Sequence, residues 1–208
     1  GGSHDGASGA LYLGTGQSLS GKAGQITLGV GSGKGQRGDG ANLVMYAGES
    51  IKKQGGAVTI ASGIGLGNSS GHITVSTPSA TKIGVGVSGS IGVSTGISKN
   101  GPSGTLTFAT GEASSGAGGA INIAVGLGHK GNGGTASLTA GSTLDEGSGG
   151  ALHLFSGDGA LTSSGGIKIG SPNAGRAGVS GSVELSTGMS TMGDSGAVTI
   201  TTGEAKKG

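Results

Sequence analysis

The residues best suited to chemistry are few and widely spaced. Histidine occurs at His4, His72, His129 and His153, among turns and outward strand positions, and no two share a column of the pattern described below. A metal centre needs several imidazoles, thiolates or carboxylates converging on one point, so none is expected. Asp39, Asp145, Asp158 and Asp194 do not recur at one position of the pattern, as glycine-rich calcium repeats require. Gly29, Gly31, Gly33 and Lys34 suggest a phosphate loop. However, Leu28 stands where its first glycine belongs, and Gly35 follows the lysine where a Mg²⁺-binding hydroxyl is needed.

Serine is abundant, but none follows a strand in Gly-x-Ser-x-Gly with a histidine and an acid to activate it. Gly86-Val87-Ser88-Gly89-Ser90 returns as Gly178-Val179-Ser180-Gly181-Ser182, which marks it as a turn of a repeat. No catalytic residue, cofactor or metal is expected, and the chain reads as a non-enzyme. Arg37-Gly38-Asp39 spells an adhesion tripeptide, although a chain with 54 glycines in 208 residues produces such matches by composition. The one sequon, Asn68-Ser69-Ser70, lies in a glycine-rich turn and makes Asn68 a possible glycosylation site if the protein is secreted.

Composition narrows the partners. Twelve basic and ten acidic residues give a formal charge of +2, too weak a field to point to nucleic acid or an anionic membrane. Aromatic side chains are limited to Tyr12, Tyr46, Phe108 and Phe155. No apolar run approaches the ~18 residues of a membrane span. There is no cysteine to form a disulfide framework. No small-molecule substrate is evident.

The elements that must position these residues are repeats of Gly-x-apolar-x-apolar-x-small-Gly, such as "GALYLGTG", "GQITLGVG", "GAVTIASG", "GTLTFATG", "GAINIAVG" and "GAVTITTG". Thirteen repeats follow one another, mostly 15 residues apart, with first apolar positions from Leu11 and Ile26 to Val183 and Val198. Strict alternation rich in Val, Ile and Thr reads as a half-buried strand, so Ile121 and Ile123 should face inward and Asn122 outward. No stretch has helical periodicity.

A longer period overlies the first. The residue before the closing Gly or Pro runs Thr15, Val30, Ala47, Ser62, Thr77, Thr95, then Thr110, Val125, Ala140, Ser156, Ser171, Thr187, and returns to Thr202. Its size class recurs every six repeats, about 94 residues, while outward positions drift. A side chain selected for size implies a specific packing neighbour. Aliphatic burial alone is too small to offset chain entropy, so dense main-chain hydrogen bonding is expected. The predicted fold is an all-β parallel β-solenoid of short strands and Gly-rich turns. The six-repeat period suggests a large coil in which repeat one stacks on repeat seven. Residues 1–208 form a single array, with super-repeats over 1–95, 96–187 and the start of a third at 188–208.

The phrases Ser195-Gly196-Ala197-Val198-Thr199-Ile200-Thr201-Thr202-Gly203 and Gly118-Gly119-Ala120-Ile121-Asn122-Ile123-Ala124-Val125-Gly126 resemble the glycine-rich tandem repeats of extracellular proteins from diatoms and related stramenopile algae. The resemblance covers the whole chain and is one of low complexity. It implies a cell-surface or filament setting and carries no catalytic or ligand residues. The expected function is therefore structural: an extracellular fibre, hair or coat component that associates with itself or like chains. The alternative is a binding surface on the solenoid, for ice through outward Thr ladders or for glycans as in an adhesin or viral fibre. Only five of the thirteen outward middle residues are Thr, and His153, Lys168 and Glu184 interrupt the row. Both termini fall within the repeat pattern, which leads to the expectation of a longer array, with a Val-Gly repeat after Gly208 and a Ser-Thr-Gly repeat before Gly1.

Overall fold

In the computed structural model of the chain, residues 8–33, 39–80 and 86–206 are described. They fall into two parts, Gly1–Leu106 and Thr107–Gly208. In the first, unbent segments are separated by bends at 19–21, 51–53, 66–68 and 99–101. In the second, bends and turns lie at 114–116, 129–132, 144–147, 160–162, 176–177 and 191–193, with a further bend at 206. In the second part, each stretch between successive bends up to 191–193 contains one apolar repeat. The glycine-rich phrases bend, and the alternating phrases do not.

Alternation shows directly in two segments, one in each part. Gln25 Nε2 donates to Thr27 Oγ1 at 2.8 Å, and the rings of His153 and Phe155 stack at 5.9 Å. Residues two apart therefore share a side, as extended backbone requires. Only Gly131 has a left-handed backbone among the described residues, with φ 75°. Glycine's conformational freedom is needed there, in the bend at 129–132.

The β-solenoid is not formed. Among the described residues there is no strand and no helix, so the fold is not that of a sheet. Among the described residues, five hydrogen bonds join backbone to backbone. Nine more involve side chains, and none of those spans more than twelve positions. A folded chain ordinarily makes about one per residue.

The inward assignment fails with the coil. No described residue is buried: Ile121 is 55 % exposed and Ile123 91 %. The physical reason is that alternation reports extended backbone and its two faces, but not the presence of a partner strand in the same chain. The dense main-chain bonding that was to offset the small aliphatic burial is absent among the described residues. The chain exposes 21388 Å², where a folded monomer of its mass exposes about 8,400 Å² and a fully extended one about 28,000 Å².

Candidate functional site: the bend closures

The most organised feature of each bend is its base. The size-class residue of one repeat lies against the glycine that opens the next. An ideal Cβ placed on that glycine would meet Thr15 Cβ at 3.0 Å from Gly24, Ala47 Cβ at 3.1 Å from Gly56 and Ser62 Cβ at 3.3 Å from Gly71. It would meet Thr110 Cγ2 at 3.4 Å from Gly119 and Val125 Cγ1 at 2.8 Å from Gly134. Gly104 faces Thr95, Gly150 faces Ala140, Gly165 faces Ser156, and Gly196 faces Thr187 in the same way. Absence of a Cβ admits the neighbour.

Side-chain size decides how each base closes. Where the residue is Ala or Ser before a closing glycine, the opening glycine donates its N–H to that glycine's carbonyl. The bonds are Gly56 to Gly48 at 2.9 Å, Gly71 to Gly63 at 3.0 Å, Gly150 to Gly141 at 2.8 Å and Gly165 to Gly157 at 2.9 Å. Where it is the β-branched Thr15, Thr95, Thr110, Val125 or Thr187, no such bond forms, and its side-chain atoms are the nearest to the opening glycine's Cβ position. The second substituent on Cβ holds the two backbones apart.

Hydroxyls supply a third closure. Thr77 Oγ1 donates to the Gly89 carbonyl at 3.0 Å and Ser171 Oγ to the Gly181 carbonyl at 2.7 Å, both just before a proline. Thr15 Oγ1 makes the same contact with Gly24 at 3.2 Å.

The closures recur six repeats apart. Ala47 and Ala140 are half-buried counterparts, as are Gly65 and Gly159, and among the described residues Thr77 is the remaining half-buried one. A Cβ on Gly65 would collide with the carbonyls of Ser69 and Asn68, and one on Gly159 with those of Ser163 and Thr162. The recurrence is expressed in bend closure, at Ala47 and Ala140, Ser62 and Ser156, and Thr77 and Ser171, rather than in a coil. The size-selected residue was expected at an inward position of a coil; its neighbour is instead the glycine that opens the next repeat. The available signal was glycine in twelve of thirteen opening positions, with Ala41 the exception.

Serine and threonine also pin bends locally. Ser18 Oγ accepts from Gly21 N–H at 3.0 Å and Ser50 Oγ from Lys53 N–H at 3.0 Å. Thr143 Oγ1 accepts from Asp145 N–H at 3.2 Å, and Asp145 Oδ1 from Glu146 N–H at 2.9 Å. These are the short-range bonds that favour turns over regular structure.

Asn68 lies exposed in the bend at 66–68, with its Oδ1 accepting from Ser69 N–H at 2.8 Å. His72 and His129 are exposed. His153 stacks on Phe155 beside an open gap of about 450 Å³ between residues 153–156 and 166–169. Its walls are mainly Leu154, Phe155, Ile167 and Ile169, and only His153 and Lys168 add ionisable groups. Among the described residues no three His, Cys, Asp or Glu converge. Among the described residues no helix is long and apolar enough to cross a membrane. The sheet on which a Thr ladder for ice would stand is not formed within the described residues. His4, Lys34 and the Arg37-Gly38 of the adhesion tripeptide lie outside them. No family model, curated protein or solved structure matches the chain.

Proposed function

We propose that the chain is a structural component of an extracellular fibre, hair or coat, built by association with itself or with like chains, and that it is not an enzyme. One observation carries this reading: the bends are specifically closed at their bases, while the apolar rows and most main-chain groups between them face solvent. A chain with defined bends and no core of its own is suited to completing its core in company. Exposed main-chain N–H and C=O groups on extended segments are a template for another chain. The resemblance to repeats of algal extracellular proteins supports the setting, and the sparse charge is compatible with close packing of many chains.

The test is electron microscopy and sedimentation of the purified chain across a concentration series. Fibres or sheets that appear above a threshold concentration are the expected result. A chain that stays monomeric throughout would overturn the structural role.

A further inference from the structure

We infer that the occupant of the open surface is a second copy of this chain, displaced by six repeats, so that Gly1–Leu106 of one copy docks on Thr107–Gly208 of the next. This rests on the structural role proposed above and specifies its partner and register.

Three observations carry it. First, the surface to be covered is large. The chain exposes 21388 Å², some 13,000 Å² more than a folded monomer of its mass, whereas a stable interface needs only about 1,200–2,000 Å². Second, the bends at 19–21, 51–53, 66–68 and 99–101 have counterparts in the same order at 114–116, 144–147, 160–162 and 191–193, with half-buried Ala47 corresponding to Ala140 and the same backbone closure at both. A displacement of six repeats, like no displacement at all, lays the Ala47 closure on that of Ala140 or its own copy, and the Ser62 closure on that of Ser156 or its own copy. Other displacements set an Ala or Ser closure against a Thr or Val closure.

Third, charge separates the two registers that remain. Lys52 and Lys53 are four and five residues past closing Gly48, and Asp145 and Glu146 are four and five past closing Gly141. All four are exposed, and hydroxyl groups pin both bends, Ser50 at the first and Thr143 at the second. With no displacement, each of these charges would lie on its own copy, about 5 Å away at the spacing of paired chains, which is repulsive. Displaced by six repeats, the lysine pair meets the acidic pair. Such a contact joins two different surfaces, so each added copy leaves a fresh surface open and the assembly has no natural end.

Charge reversal tests this on the 208-residue chain in low salt. K52E/K53E and D145K/E146K should each raise the critical concentration for assembly by about tenfold, since each turns two attractive pairs into repulsive ones. An equimolar mixture of the two variants should assemble as the wild type does, because every contact then joins opposite charges. The quadruple swap should also recover assembly. Recovery in the mixture shows that neither variant is misfolded.

If K52E/K53E alone assembles like the wild type, the displaced register is wrong and the fibre reading stands. If the variants lose assembly but their mixture does not regain it, the charge pairing is also refuted. Failure of the wild type to assemble at any concentration sinks both.

Discussion

Ala47 and Gly56 meet across the base of their bend. A Cβ on Gly56 would lie 3.1 Å from that of Ala47, and the Gly56 N–H donates to the Gly48 carbonyl at 2.9 Å. A β-branched side chain at position 47 would push the two backbones apart, as it does at the bends closed by Thr95 and Thr110. Ala47→Thr should therefore lose the bond, at a cost of about 0.5–1.5 kcal/mol. Hydrogen exchange at the Gly56 amide should accelerate several-fold. Thr110→Ala should do the reverse, slowing exchange at Gly119 as its N–H approaches the Gly111 carbonyl. Unchanged exchange in both variants would show that side-chain size does not set the closure.

Val125 and Gly134 form the tightest of these pairs, with Val125 Cγ1 only 2.8 Å from the position of a Cβ on Gly134. Valine is stiff at χ1 and cannot swing clear. Gly134→Ala should distort the bend at 129–132 at a cost of about 1–3 kcal/mol, visible as shifted amide resonances across that bend. Gly104→Ala, where the nearest atom is Thr95 Cγ2 at 3.6 Å, should leave its own bend unshifted. Val125→Ala combined with Gly134→Ala should shift the resonances of the bend less than Gly134→Ala alone, which a general loss of stability would not do.

At Gly65 the obstacle is backbone rather than side chain. An added Cβ would strike the Ser69 and Asn68 carbonyls, and no rotamer relieves that. Gly65→Ala should open the bend at 66–68, and Gly159→Ala the bend at 160–162, whereas Gly63→Ala has nothing within 4 Å and should be silent. Amide chemical shifts of Ser69 and Ser163 would report the opening.

Much of the local structure was legible in the sequence. The alternating phrases are extended, the glycine-rich phrases bend, and the six-repeat recurrence of Ala47 with Ala140 has a structural counterpart. What could not be read was where the extended segments find their partners. Ile121 and Ile123 alternate with Asn122 whether the covering chain is the same molecule or another one, because periodicity describes one strand at a time. Glycine misled in a second way. Its abundance suggested turn conformations, yet Gly131 alone among the described residues has positive φ. At Gly24, Gly56 and Gly134 it is the missing Cβ that matters, a demand set by a residue of the preceding repeat.

The exposed aliphatic row separates a chain that needs company from one that does not. Ile123 is 91 % exposed, so an aspartate in its place would be solvated in the single chain. Ile123→Asp should therefore leave the bends at 114–116 and 129–132 unshifted in dilute solution. Association changes the balance. Once another chain covers the segment, the carboxylate loses water without gaining a partner, which costs several kcal/mol or forces protonation. Sedimentation should then show the variant monomeric at concentrations where the wild type has assembled. Ile123→Val, which keeps the apolar surface and the β-branched shape, should assemble normally. Were the aspartate variant to assemble as readily as the wild type, the apolar row would lie outside the contact between chains. Were it instead to disturb the bends of the isolated chain, Ile123 would belong to a core within the molecule.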